Sequence, residues 1–353
     1  MNRRDFLASI GAGVAATGLG LRFGFAQSAD QPLIVSNYGG TWGSTQVAAV
    51  DERFEKKFGA KVVQDTSGSP IQRITKLRLG QSGARAADII QLNDGNWGMA
   101  VKLGVVEPIG SDAARLADLK DVYPAMLNDY FVPNVYSAIV LVYNKNHVTE
   151  PPTSYADLWN PKYAGRIVVP EITHSIGPEM VPLSAIAAGK SPDDEEAGFS
   201  MLKDLVKLKP IWAKSTDQMA NAFRTEEAVI GLCWTSRTFG LQDAGIPVEM
   251  VFPKEGAIFI TWGHAIVKGT GKRAAAEDYL NMTLNLDAQA EVVEKLSMAG
   301  SNSKLGTFVP EKMRQRASFT PEQMASLIKL DRIRMTDRLP DWVDRVNRIV
   351  AEG

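Results

Sequence analysis

Aromatic and hydrogen-bonding side chains recur at five points of the chain, each within or just after an apolar run that predicts a β-strand. The first group follows the run 33–36 and consists of Asn37, Tyr38, Gly39, Gly40 and Trp42. Glycines let a backbone approach a ligand closely, and aromatic rings offer flat faces to apolar or cationic groups. The turn therefore predicts a ligand contact. The alternative is a tight strand-to-helix turn whose glycines serve geometry alone.

The second and third groups follow the runs 87–92 and 166–169. The second consists of Asn93 and Asp94, and the third of Glu171, Thr173 and His174. A carboxylate such as Glu171 suits a ligand cation, and the hydroxyl and imidazole can donate hydrogen bonds. For both groups the alternative is capping of the helix that follows.

The fourth and fifth groups lie in the runs 229–234 and 258–267. The fourth consists of Trp234, Ser236 and Arg237, and the fifth is Trp262. Arg237 is suited to clamp a carboxylate or phosphate through two hydrogen bonds, and a surface salt bridge is the alternative. Trp234 is either a core residue or a stacking platform for a ligand.

The residue types at these points favour binding and release over bond making. Cys233 is the only cysteine and lies in an apolar run, where a thiol behaves as a small apolar group. The three histidines, at positions 147, 174 and 264, do not have the spacing of metal ligands. His174 has no neighbouring nucleophile in sequence. We therefore expect a ligand site with no metal, no cofactor and no catalytic residue.

The elements that position these groups alternate between strand and helix. Strand, helix, strand, helix and strand follow one another over 33–36, 44–58, 61–64, 71–79 and 87–92, which calls for a parallel sheet covered on both faces. Another strand is predicted at 137–143. A second alternating series begins after the Pro-rich segment 149–153, with predicted strands at 166–169, 211–213, 229–234 and 248–252, and helices at 178–188, 193–208, 217–224 and 238–244.

A long apolar strand at 258–267 is the candidate return crossing, with helices after it at 272–284, 288–298, 321–335 and 340–351. This order predicts two α/β lobes with a cleft between them. The first lobe comprises 30–138 and 264–310, and the second 139–263 and 311–353. In open α/β sheets ligands bind beyond the carboxyl ends of the strands, so all five groups are expected to face the cleft.

The N-terminus predicts export. Arg3 and Arg4 precede a short apolar stretch, 8–21, and small residues at Gly24 and Ala26 suit cleavage near Ala26. A membrane anchor is the alternative, but the stretch is shorter than the ~20 residues that span a bilayer. Removing three arginines and one aspartate from 39 basic and 40 acidic residues leaves a net charge of −3. That balance argues against nucleic acid as a partner.

Several segments carry a resemblance to a known family. They are 36–40, 154–166, 231–234 and 253–256, of which Ala156-Asp157-Leu158-Trp159 with Gly165-Arg166-Ile167 is the most specific. The chain resembles the periplasmic solute-binding proteins of ABC importers, most closely the spermidine/putrescine-binding group. Its paired arginines resemble a twin-arginine signal.

The resemblance implies the α/β, two-lobed type II fold, a periplasmic location and a monomer that hands one ligand to ABC permease membrane subunits. In the polyamine-binding relatives, aromatic faces sandwich the methylene chain and carboxylates hold the ammonium ends. Tyr38, Trp234 and Glu171 lie where such groups are expected. The usual Trp and Asp of the return strand are replaced by Ile260 and Trp262, so a smaller or zwitterionic ligand fits at least as well.

Two other functions remain open at this stage. One is an exported hydrolase that uses His174 or Glu171 in the cleft, although the chain has no G-x-S-x-G motif and no zinc motif. The other is a sensory binding protein that docks to a chemoreceptor in its closed form.

Overall fold

The computed structural model describes residues 31–80, 87–110 and 114–352. The predicted signal peptide, residues 1–26, lies outside the described residues. Within the described ranges, the helices are all too short or too polar to cross a membrane.

A single mixed sheet runs through the described part of the chain. Its ten strands there are β1 Leu33–Ser36, β2 Val62–Asp65, β3 Ile89–Asn93, β4 Val132–Asn144, β5 Ile167–Pro170, β6 Ile211–Ala213, β7 Ile230–Trp234, β8 Val248–Val251, β9 Ile258–Ile266 and β10 Ala299–Gly300. The strand order is β2-β1-β3-β9-β4-β7-β5-β6, and β8 and β10 also pair with β4.

Helices cover the sheet. They are α1 Gly40–Gln46, α2 Glu52–Phe58, α3 Pro70–Gly80, α4 Asp94–Lys102, α5 Met180–Ala187, α6 Glu195–Val206, α7 Thr216–Arg224, α8 Thr235–Asp243, α9 Arg273–Met282, α10 Leu286–Leu296, α11 Leu305–Phe308, α12 Arg314–Ala317, α13 Pro321–Ala325 and α14 Arg332–Glu352. A π-helical turn, Val47–Asp51, joins α1 to α2, and 3₁₀ turns lie at Ala117–Asp121, Pro124–Met126, Tyr155–Trp159, Pro161–Tyr163 and Glu311–Met313.

Each end of the sheet is parallel, as the alternation of strands and helices predicted. β1 pairs in parallel with β2 and β3, and β5 pairs in parallel with β6 and β7. We call these the first and second parallel halves of the sheet. Because the carboxyl ends of parallel strands lie at one edge, each half brings its strand-end side chains together.

Two long antiparallel strands connect the halves. All 13 residues of β4 are buried; residues 132–139 pair with β9 and residues 139–144 with β7 and β8. β9 also pairs with β3 of the first half. The predicted return strand is therefore confirmed, and the strand predicted at 137–143 is the middle of a longer one. The predicted lobe boundaries stay a prediction.

The C-terminal segment differs from the prediction. Helices were expected at 321–335 and 340–351, but α13 ends at Ala325, Ile328 bridges to Ile258 of β9, and α14 runs unbroken through Pro340. A proline inside a helix costs about 3 kcal/mol. The buried stripe of α14, which includes Trp342 and Val346, outweighs that cost through tertiary packing.

The first helix also starts earlier than predicted. It begins at Gly40 rather than at Ser44, so Trp42 stands on the first helical turn. Gly40 has a φ of 61°, a left-handed conformation that glycine adopts without a steric penalty. The glycine turn therefore has a geometric role as well as a place at the predicted site.

Candidate functional site

Four of the predicted aromatic residues form one connected group, which we call the aromatic cluster: Tyr38, Trp42, Trp262 and Trp234. The ring centroids of Tyr38 and Trp42 lie 5.5 Å apart, edge to face. Trp42 and Trp262 follow at 5.7 Å, and Trp262 and Trp234 at 5.4 Å. These separations are typical of favourable aromatic pairs.

The aromatic cluster draws on both halves of the sheet. Tyr38 follows β1, and Trp262 lies on β9 opposite Asn93, the last residue of β3. Trp234 ends β7 of the second half, opposite Ile139 of β4. The sequence predicted these residues separately, and the central antiparallel strands bring them together.

Hydrogen bonds fix the rings of the first half. The indole Nε1–H of Trp42 donates to Gln91 Oε1 at 2.6 Å, and the Asn93 N–H donates to the Tyr38 hydroxyl at 3.2 Å. Asn37 Oδ1 accepts from the Tyr38 N–H at 2.7 Å. Burial raises the pKa of Tyr38, so its hydroxyl stays protonated. Gly39 lies at the surface beside Thr66.

Asp94 belongs to a buried ionic group that sequence reasoning missed. Arg332, at the start of α14, donates from Nη1 to Glu179 Oε1 at 2.6 Å, and its Nε lies 3.5 Å from Asp94 Oδ2. We call Asp94, Glu179 and Arg332 the charged triad. Arg332 was missed because it lies 238 positions from Asp94 in a segment predicted to be plain helix. The capping alternative for Asp94 is wrong, since Asn93 occupies the cap position of α4.

Two carboxylates facing one guanidinium set the electrostatics of the triad. Burial raises the pKa of Asp94 to about 6, Arg332 opposes that rise and Glu179 adds to it. Burial would lower the pKa of Arg332, but the two carboxylates raise it instead. One oxygen on each carboxylate has no hydrogen-bond partner among the described residues. With both acids ionised the triad carries a net charge of −1.

A cavity of about 340 Å³ adjoins the triad. Its polar lining includes Asp94, Arg332 and Thr261, and its aromatic lining includes Trp97, Phe131 and Phe259. Trp97 and Phe131 stack face to face at 4.6 Å. The volume is within the range of small-molecule sites.

The third predicted group lies on the turn after β5. Thr173 is exposed and donates from its hydroxyl to Glu171 Oε1 at 3.3 Å. His174 is buried, and burial lowers its pKa to about 4, so the ring is neutral at pH 7. Its Nδ1 accepts from the Ile176 N–H at 3.1 Å, which places the ring proton on Nε2, 3.3 Å from the Thr216 hydroxyl. In that tautomer His174 cannot take a proton from Thr216, so this pair does not form a nucleophile and its base.

The fourth group starts α8. Ser236 is half-buried and Arg237 is exposed, and among the described residues Arg237 makes no ion pair. The surface salt bridge, the alternative for Arg237, is therefore not found within the described ranges. Burial raises the pKa of the Cys233 thiol to about 11, which leaves it protonated and unreactive. Within the described ranges, groups of three or more residues able to hold a metal ion are absent.

With this geometry in place, comparison with known proteins identifies the family. Residues 49–313 match the family described as bacterial extracellular solute-binding protein. The match covers well over half of the chain, so the chain belongs to this family.

Two characterised binding proteins are similar to most of the chain. The spermidine/putrescine-binding periplasmic protein of Salmonella typhimurium is 27% identical over 298 residues, which cover 82% of this chain and 83% of the relative. The gamma-aminobutyric acid-binding protein of Pseudomonas aeruginosa is 21% identical over 335 residues, covering 92% of this chain and 93% of the relative.

Solved structures agree on the fold. The crystal structure of an ABC transporter protein from Clostridium perfringens superposes with a TM-score of 0.79 at 22% identity, covering 90% of this chain and 99% of that one. The predicted α/β fold of solute-binding proteins, with a central sheet flanked by helices, is confirmed.

Proposed function

We propose that this protein is the substrate-binding component of an ABC importer that captures a small, amine-bearing solute and delivers it to a membrane permease. The family match supports the class, and the similar polyamine-binding and gamma-aminobutyric acid-binding proteins support the amine. We further propose export to the periplasm under a twin-arginine signal cleaved near Ala26, and action as a monomer.

The aromatic cluster is the observation that carries this proposal. Tyr38 and Trp42 come from the first half of the sheet, Trp234 from the second and Trp262 from β9 between them, so a solute held among them would be gripped from two sides. Aromatic faces attract ammonium groups and pack on methylene chains. Asp94 of the charged triad, with one unpartnered oxygen, adds negative charge near the cluster, although the Arg73 guanidinium acts on Tyr38 more strongly.

The return strand argues against a long polyamine. Ile260 is 1% exposed, and Trp262 supplies a ring where the polyamine-binding group has a carboxylate. Arg332 already neutralises one of the two triad acids. A second ammonium would therefore have no full carboxylate partner, and a buried unpaired charge costs several kcal/mol. One amine per solute fits these charges.

A thermal-shift screen over diamines, ω-amino acids, α-amino acids and sugars tests the proposal. A solute present at 100 times its Kd should stabilise the protein by ~2.7 kcal/mol. Amines should shift the midpoint and sugars should not. The bound solute, recovered and weighed by mass spectrometry, should be unchanged. A chemically altered product would instead support the hydrolase alternative.

A pair of variants locates the site. Trp262→Leu should weaken binding of the best amine roughly 10-fold or more, since buried aromatic anchors dominate binding energy. Trp212→Leu is the matched control, because Trp212 is also half-buried but lies on β6, outside the aromatic cluster. Equal affinities in the two variants would exclude the aromatic cluster as the site.

A further inference from the structure

Three polar side chains form a row beneath the aromatic cluster. Gln91 of β3 pairs directly with His264 of β9. Ser36 of β1 pairs with Ile90, so Asn37 lies one position further along, beside Gln91. Side chains at adjacent positions of neighbouring strands point to the same face of a sheet. Asn37, Gln91 and His264 therefore share one face at the carboxyl ends of β1 and β3.

The row presents hydrogen-bond donors that lack partners. All three side chains are fully buried. Asn37 Nδ2, Gln91 Nε2 and both ring nitrogens of His264 have no hydrogen-bond partner among the described residues. The oxygens of the two amides are already used, by the Tyr38 N–H and by the Trp42 indole N–H. The amide groups that remain without partners are therefore the NH₂ groups, which are hydrogen-bond donors.

A buried cation stands beside the row. Arg73 of α3 is 1% exposed, and its guanidinium carbon lies 4.5 Å from the centroid of the Tyr38 ring. Within the described parts of the chain, the Tyr38 hydroxyl is the one acceptor that acts on its three side-chain nitrogens, and none of the three makes a hydrogen bond of good geometry. Tyr38 directly follows Asn37, so this contact sets the guanidinium at the Asn37 end of the row. Burial lowers the pKa of His264 to about 3, and the charge of Arg73 adds to that effect. The carboxylate that acts on Arg73, Asp65, is already paired with Lys76 at 2.7 Å.

An arrangement of this kind suits an anion. Buried polar groups in folded proteins are almost always hydrogen-bonded, and a guanidinium with two free edges matches a carboxylate in geometry and charge. We infer that Arg73, with Asn37, Gln91 and His264, binds the carboxylate of the solute. Arg73 lies at the Tyr38 end of the aromatic cluster, so the carbon chain and the amine extend along the rings. The solute class is then a zwitterion with separated ends, an ω-amino acid. This inference rests on the proposed function.

Matched pairs of probes test the inference. Kd is measured by calorimetry for ω-amino acids of three to six carbons, for their primary amides and for the diamines of equal length. The wild-type protein should bind the best acid roughly 10- to 100-fold more tightly than its amide, as expected for hydrogen bonds to a charged group. Arg73→Gln should reduce that ratio to below about 3-fold, by loss of the same bonds. Arg348→Gln, at an exposed arginine of α14, should leave it unchanged.

The outcomes separate this inference from the proposed function. Equal affinity for acid and amide in the wild type overturns the carboxylate site, while binding of either still supports an amine-binding protein. No binding of any acid, amide or diamine counts against the proposed function itself. An unchanged ratio in Arg73→Gln with a lower unfolding midpoint makes Arg73 a structural residue. Should Arg73→Gln not fold, Arg73→Met, which also removes the charge and the donors, is measured instead: a ratio as large as the wild type's overturns the assignment, and a reduced ratio supports it.

Discussion

At the scale of single residues, the site is built from groups whose environment matters more than their type. Asp94 and Glu171 are both strand-end carboxylates in the sequence. In the fold Asp94 is buried against Arg332, whereas the Glu171 carboxylate accepts a bond from Thr173 on a surface turn. His174 and His264 are both neutral because they are buried. The sequence could single out these residues but could not show which of them are buried, because burial depends on partners far along the chain.

The raised pKa of Asp94 makes a pH-dependent prediction. An aspartate titrates near ~3.9 in an unfolded chain, whereas Asp94 titrates at about 6 in the fold. The folded state therefore binds this proton more tightly, and the contribution of Asp94 to stability is greatest below about pH 4 and is lost as the pH rises through 6.

Asp94→Asn removes that dependence. The free energy of unfolding of the wild type, relative to the variant, should fall by up to about 2–3 kcal/mol between pH 4 and pH 7. Urea unfolding at several pH values measures it. Asp217→Asn, at an exposed position of α7, is the control and should track the wild type. If the difference in the free energy of unfolding between the wild type and Asp94→Asn stays constant with pH, the pKa of Asp94 is not raised.

At the scale of elements, apolar runs bounded by turn residues were enough to locate nine of the ten strands of the described chain, all but the two-residue β10. The predicted strands at 33–36 and 211–213 match β1 and β6, and the helix predicted at 217–224 differs from α7 by one residue. The elements that were predicted wrongly depend on contacts with residues far along the chain. α14 continues through Pro340 because its buried stripe and its arginines bind α6, where Arg338 and Arg334 both contact Glu195. The sequence of residues 332–352 by itself does not indicate that this helix packs against α6.

Close packing between strands gives a second prediction. A Cβ atom on Gly231 would lie 2.3 Å from the carbonyl oxygen of Val168 on β5. Gly231→Ala should therefore force β5 and β7 apart and lower the free energy of unfolding by about 1–3 kcal/mol. Gly240→Ala is the control, because that position lies in α8 with no atom within 4 Å, and alanine there should stabilise the helix by roughly 0.5–1 kcal/mol. The urea unfolding midpoints of the two variants, compared with that of the wild type, test this prediction. A Gly231→Ala protein as stable as the wild type would contradict the close packing of β5 and β7.

At the scale of the whole molecule, function follows from how the sheet is assembled. The two parallel halves present their strand ends to the aromatic cluster, and β4 and β9 are the extended segments that connect them. Arg332 joins a carboxylate from each half, since Asp94 follows β3 and Glu179 precedes α5. Two strands and this ionic group therefore connect the halves, and α14 packs against α4 on one side and α6 on the other. We expect them to move as two lobes that close on a solute.

Small-angle X-ray scattering during a titration with the best amine tests this directly. The account predicts that the radius of gyration falls as solute is added and levels off at one solute per chain, because closure of the lobes accompanies binding. Trp262→Leu should need more solute to reach the same end point. A radius of gyration that stays the same while calorimetry reports saturated binding would contradict a solute gripped between the two halves of the sheet.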